Sequence, residues 1–152
     1  NKEITADSLD LMHACTWFNI RRASRAITQH FDNYLRPYGI RVSQGNILGV
    51  LYFKGKSSIT ELADCLFMDR TTLTRNIKPL LMKGLISVNS GSDKRTKILS
   101  ITGKGSELLQ KGIPLWKEAN QHFIKGMGDK NWRELIDRLS EVLKLSGADI
   151  KC

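Results

Sequence analysis

Cysteine, histidine and proline each occur only three times in the 152 residues, and the first two scarcities each remove a class of protein. Cys15, Cys65 and Cys152 are widely spaced, odd in number and form no C-x-x-C pair. That pattern argues against a disulfide framework or a zinc ribbon and for a reducing, cytoplasmic setting. His13, His30 and His122 are scattered, no glycine-rich phosphate loop occurs, and no carboxylate pair stands at metal-ligand spacing. The expectation is a protein that is not an enzyme, with no catalytic residue, no metal and no cofactor, because function must be argued from a site and none of these sites is visible. No stretch approaches the ~18 consecutive apolar residues of a membrane span, and the N-terminal residues lack a basic region followed by an apolar one. No membrane partner is expected. The chain starts at Asn1 rather than methionine and is read as trimmed.

Acid is the other shortage. Fifteen Asp and Glu stand against 24 Lys and Arg, a net charge of +9, so an acidic polymer or surface is the natural partner. The distribution sharpens this. Residues 70–97 carry Arg70, Arg75, Lys78, Lys83, Lys94, Arg95 and Lys97 against the single acid Asp93, which is +6 of the total. A uniformly basic chain would suit a membrane surface or simple solubility, and a solvated basic face is the bland reading of any charge run. Charge gathered on one segment suits phosphates better. With 41% apolar and 26% charged residues the chain should fold, and its length suits one domain with an appended dimerisation arm.

Periodicity supplies the elements. Apolar residues from Met12 to Leu35 recur at three- and four-residue steps, predicting one helix over about 8–36 that Pro37 and Gly39 stop. A helix of roughly 28 residues spans ~42 Å, more than a domain of this size needs internally, so part of it should pack outside its own globule. Ser43 is the expected N-cap of a helix to about residue 54, closed by Gly55. Ser58-Ile59-Thr60-Glu61 matches a capping box and should open a short helix through Leu66 and Phe67. Asp69 then caps a second helix over 70–83 that Gly84 ends.

Two short helices joined by a tight turn suggest a helix-turn-helix. At 100° per residue Leu73, Ile77, Leu80 and Leu81 fall on one arc of the second, with Thr71, Thr72, Arg75 and Lys78 opposite. Pro79 should disturb its last turn. Residues 85–88 and 96–101 read as two strands around a turn-rich basic tip. Thr102 should cap a long helix interrupted by Pro114, and Asp129 a last helix bearing Trp132, Leu135, Ile136, Leu139 and Leu143. The overlong first helix and the aromatic, aliphatic last two predict a homodimer before any relative is considered.

The run Asp69-Arg70-Thr71-Thr72-Leu73-Thr74-Arg75-Asn76, then Lys83-Gly84-Leu85-Ile86, Asp93-Lys94-Arg95 and Leu99-Ser100-Ile101-Thr102, resembles the MarR family of transcriptional regulators. The resemblance covers nearly the whole chain. It implies a mostly α fold with a small β wing, in which a winged helix-turn-helix lobe over residues 43–102 is joined to dimerisation helices over 1–36 and 104–152. It further implies a regulator, in the common case a repressor, that binds a pseudo-palindromic stretch of double-stranded DNA as a homodimer.

Residue chemistry assigns the contacts. Arg70 and Arg75 can donate two hydrogen bonds to guanine, with Arg75 the favoured base reader, and Thr71, Thr72 and Thr74 can bond phosphate or touch a thymine methyl. Lys78 and Lys97 are expected on phosphates, Lys94 or Arg95 in the minor groove with Asp93 orienting them, and Lys83 at a solvated helix end. The resemblance also implies a cleft for a small aromatic or lipophilic acid effector, for which Trp17, Arg21, Tyr38, Tyr52 and Phe53 supply aromatic and cationic candidates. Some thiol-sensing relatives keep a reactive cysteine near Cys15, although a buried small apolar residue is the better reading there. The other alternative is a sequence-indifferent architectural DNA binder, and that would spread its basic residues along an extended surface.

Overall fold

The structure, a computed structural model, describes residues 10–11, 13–91 and 96–147. Among the described residues, after helical Asp10, Leu11, His13 and Ala14, the elements follow one another as α1 (Thr16–Leu35), α2 (Val42–Lys54), β1 (Ser57–Ser58), α3 (Ile59–Cys65), α4 (Arg70–Met82), β2 (Ile86–Ser90), β3 (Lys97–Ile101), α5 (Gly103–Met127) and α6 (Asp129–Leu145). A 3-10 turn, Arg36–Tyr38, and Gly39 in the left-handed region (φ 68°) stop α1, as Pro37 and Gly39 suggested.

The helix predicted over 8–36 is split: Asp10, Leu11, His13 and Ala14 are helical, and α1 begins only at Thr16. Cys15 is extended (ψ 118°) and breaks the chain ahead of Thr16. Asn19 donates its side-chain amide to the carbonyls of His13 at 2.6 Å and Cys15 at 2.9 Å, a local bond of the kind that competes with helix continuation. Pro114 interrupts nothing: α5 runs through it for 25 residues.

Three helix starts were written locally and appear as expected. The Ser58 hydroxyl accepts from the Glu61 N–H, and the Glu61 carboxylate accepts from the Ser58 N–H at 2.7 Å. Asp69 and Thr102 cap α4 and α5. Two starts differ. Arg41, not Ser43, is the N-cap of α2, because the Asp32 carboxylate of α1 accepts from the Val42 N–H at 2.7 Å and Gln44 accepts from the Arg41 N–H at 3.0 Å. Gly128, not Asp129, precedes α6, and the Asp129 carboxylate pairs with Arg133 at 2.8 Å.

The helix of the capping box ends at Cys65, short of Phe67. Phe67 adopts φ 49° while its N–H bonds the Asp64 carbonyl and the Met68 N–H bonds the Ala63 carbonyl, the paired closure usually built on glycine. The side chain is thereby turned out, half exposed. Cys65 is buried.

The sheet is antiparallel in the order β1-β3-β2, one strand more than the hairpin read from sequence. Ser57 pairs with Leu99 and Ser58 with Ile98, while Val88 pairs with Leu99 from the other side. Leu35, Ile40, Ile47, Leu48, Leu51, Leu62, Leu73, Ile77, Leu80, Leu85, Ile86 and Leu99 form one buried core, which lies almost wholly between residues 35 and 99. By contrast α6 buries no residue, and Leu135, Ile136, Leu139 and Leu143 are all exposed. No described helix is long and apolar enough to cross a membrane.

Candidate nucleic-acid interface

Helix α4 is held on its inner side by Leu73, Ile77 and Leu80, all buried, whereas Leu81, expected with them, is 37% exposed. A polar tie adds orientation. The Ser43 hydroxyl of α2 donates to the Asn76 side-chain Oδ1 at 2.9 Å, and the Asn76 side-chain Nδ2 donates to the Thr72 backbone carbonyl at 2.9 Å. Because Asn76 is fixed at both ends, rotation of α4 about its own axis would break the tie as well as the leucine packing. Arg70, Thr71, Thr74, Arg75 and Lys78 are exposed on the remaining face.

The threonines are not equivalent. Thr72 donates its hydroxyl to the Asp69 carboxylate at 2.6 Å, and Thr74 donates its own to the Arg70 carbonyl at 2.7 Å. Both hydroxyl protons are spent inside the helix, which leaves the methyl groups as what these two side chains can offer outward. Thr71, exposed, keeps its hydroxyl on the surface.

Hydrogen bonds from the Thr72 hydroxyl and then the Thr72 N–H hold the Asp69 carboxyl below its ordinary value of 3.8. The Ser58 N–H and then its hydroxyl lower Glu61 below 4.5 in the same way. A carboxylate whose folded-state value is depressed contributes stability above its unfolded value and loses it as pH falls through the folded one. Both contributions are therefore fully present from pH 7 down to about pH 5 and are lost as pH falls through the ordinary carboxyl range toward the lowered folded-state values. Thermal melts from pH 7 to pH 3 check this: Asp69→Asn should flatten the acid limb and leave the region above pH 5 parallel to the parent.

The wing rests on β2 and β3, with Lys97 exposed at the head of β3 and the Gly91 N–H bonded to the Thr96 carbonyl at 2.8 Å across its base. Asp93, Lys94 and Arg95 lie outside the described residues. The base is clamped to α5 by Thr102, whose hydroxyl donates to the Gly84 carbonyl at 2.8 Å and whose N–H donates to the Leu85 carbonyl at 3.1 Å.

Of the five candidate pocket residues only Phe53 lines the apolar cavity of about 370 Å³ between α2 and α5, with Leu35, Val42, Ile113 and Trp116. Asn46 and Lys117 are the polar members of that lining. Tyr52 packs edge-on to Phe53 at 5.2 Å, Tyr38 lies in the 3-10 turn, and Arg21 sits over the exposed Trp17 ring at 5.9 Å on α1. Lys117 and Trp116 were missed as cavity residues, since nothing in a helical pattern tells which side of α5 faces α2. Cys15 is a free, exposed thiol at the break before α1, not a buried apolar residue. His30 and His122, distant in sequence, lie with ring centroids 4.7 Å apart and tilted by 32°, yet among the described residues no three candidate ligands gather for a metal.

A rigidly seated exposed helix, a preceding capped helix and a clamped hairpin define a winged helix-turn-helix protein. The description "MarR family" matches residues 38–96. The transcriptional regulator MosR of M. tuberculosis, solved in complex with DNA, superposes with a TM-score of 0.79 at 33% identity over 88% of this chain and 97% of that one. The HTH-type transcriptional regulator MhqR of Bacillus subtilis is 26% identical over 133 residues, 87% of this chain and 89% of that protein. The regulator Hpr of Geobacillus thermodenitrificans is 28% identical over 123 residues, 80% of this chain but 60% of its own length, so the chain spans about three fifths of that relative. The chain belongs to the MarR family, and these relatives are transcriptional regulators.

Proposed function

We propose that this chain is a homodimeric regulator, in the simplest case a repressor, that inserts α4 into the major groove of a pseudo-palindromic DNA site. The observation that carries this reading is the outward face of α4, with Thr71, Thr74, Arg75 and Lys78 exposed on a helix that the core and Asn76 hold still. A major groove admits such a helix, and an arginine there can read guanine. Arg75 is assigned to a base, Arg70 to base or phosphate, Lys78 to phosphate, and the methyls of Thr72 and Thr74 to apolar contact. Lys97 and the tip residues Asp93, Lys94 and Arg95 are assigned to the wing contact. The DNA complex of MosR supports the placement.

Residues 1–36 and 104–152 are assigned to dimerisation and 43–102 to the DNA-binding lobe. Support comes from the exposed apolar side chains of α1, α5 and α6 around one groove of about 590 Å³, including Ile20, Ile27, Trp116, Leu135 and Leu139. A second copy of the chain would cover them. The cavity beside Phe53 is large enough for a small aromatic or lipophilic acid, with Lys117 facing its carboxylate.

The test is competition between random duplexes and duplexes selected from a random library, at physiological salt, with the mass of the free protein measured by light scattering. A specific dimer prefers the selected sites by about 10³ or more. A preference under about tenfold would instead favour an architectural binder.

A further inference from the structure

We propose that Arg36, Arg41 and Lys83 form a second anion site, one that takes a phosphate group, on the flank of α4 beside the Ser43–Asn76 tie. The three cations come from three elements: the turn after α1, the N-cap of α2 and the C-cap of α4. They line one open concavity of about 520 Å³ together with Asp32, Gly39, Ile40 and Gln44. Sequence order hides the group, since 47 positions separate Arg36 from Lys83.

The balance of charge in this concavity is what calls for a ligand. Asp32 is its one acid, and that carboxylate is already bonded to the Val42 N–H at the start of α2. Among the described residues the salt bridges all lie on α6, so none neutralises these three cations. Arg36 has only the Asn33 side chain at 3.4 Å, and Lys83 donates to the Gly39 carbonyl. Gly39 lets the ammonium come this close, because a Cβ there would stand 3.3 Å from the Lys83 nitrogen. Gln44, 8% exposed, spends its carbonyl oxygen on the Arg41 N–H and brings an amide donor to the wall. Two guanidiniums and an ammonium suit a tetrahedral oxyanion.

Lys83 lies roughly 80° round α4 from Arg75 at 100° per residue, so the concavity faces the side of the helix, where the strand bordering an occupied groove would pass. A backbone phosphate of bound DNA is one source of the oxyanion, and a free phosphate ester is the other. The first source rests on the DNA-binding reading above; the second does not.

Arg36→Gln and Arg41→Gln, singly and together, are compared with the parent and with Arg41→Lys, which keeps the charge. One arm measures duplex binding against sodium chloride concentration. A backbone phosphate in the site predicts that each glutamine variant lowers the slope of log K against log salt by about 1, alike for selected and random sequences, with Arg41→Lys unchanged. The other arm melts the protein without DNA in inorganic phosphate and in chloride of equal ionic strength. A free anion in the site predicts a Tm raised by phosphate in the parent and not in the double variant. Either result supports the site and names its source. Unchanged slopes together with no phosphate-specific rise in Tm would overturn it. A parent that binds no DNA sinks the regulator reading and leaves the melting arm to decide the site alone.

Discussion

Gly105→Ala is expected to destabilise the protein by about 3 kcal/mol or more, the upper range for overpacking a site that cannot yield. The residue sits in the first turn of α5, buried, where an added Cβ would stand 2.0 Å from the Leu85 carbonyl oxygen and 2.9 Å from the Ile101 side chain. That carbonyl is backbone and already accepts the Thr102 N–H at 3.1 Å, so it cannot swing aside without losing a bond. The same clamp carries β2 into the wing. Relief of the clash therefore moves the wing relative to α5, and duplex affinity should fall along with stability. Gly103→Ala is the matched control, because its Cβ would meet nothing within 4 Å. There the loss of backbone freedom in the unfolded chain should leave stability unchanged or raise it by up to about 1 kcal/mol. Urea melts of the two variants read the difference directly; equal midpoints would show that the close approach at Gly105 is not a constraint.

Arg75→Ala is expected to cost about 1–3 kcal/mol at one base pair of each half-site, a loss of roughly 5- to 150-fold confined to sequences that carry guanine there. The expectation follows from how the side chain is presented. Arg75 is exposed and one helical turn from Thr71, and its neighbour Asn76 is anchored to Ser43, so the guanidinium starts from a helix whose rotation is already set. Pre-set geometry is what turns a flexible cation into a base reader rather than a roaming phosphate partner. Lys78→Ala supplies the contrast, with affinity lowered alike on all sequences and the salt slope reduced by about 1. Binding measured on a panel of single-base variants of the selected site separates the two. If Arg75→Ala weakened every member of the panel equally, Arg75 would belong to the phosphates.

The anion site and the base reader share one structural device, the junction between the start of α2 and the flank of α4. Ser43 was read as a helix cap and is instead the donor that anchors Asn76. Lys83 was read as a solvated helix end, and it is the exposed C-cap of α4, but it also reaches the Gly39 carbonyl, 44 positions away. In both cases the residue type was informative, since a hydroxyl and an ammonium each need a partner, but the partner came from another element.

What could be taken from the chain alone was whatever is decided within a turn or two of backbone. The Ser58–Glu61 box, the Asp69 and Thr102 caps, the glycine ends and the inner arc of Leu73, Ile77 and Leu80 depend on atoms three to five residues apart, and their spacing states the result. Tertiary contact decided the rest. Asp32 moved the start of α2 to Arg41, β1 exists as two residues only because β3 pairs with it, and Phe67 takes a glycine's conformation to close a turn between packed helices. The concavity of Arg36, Arg41 and Lys83 is of the same kind. Bonds across long sequence distances form only once the core has brought the elements together, so their energies leave no periodicity for a reader of the sequence to find.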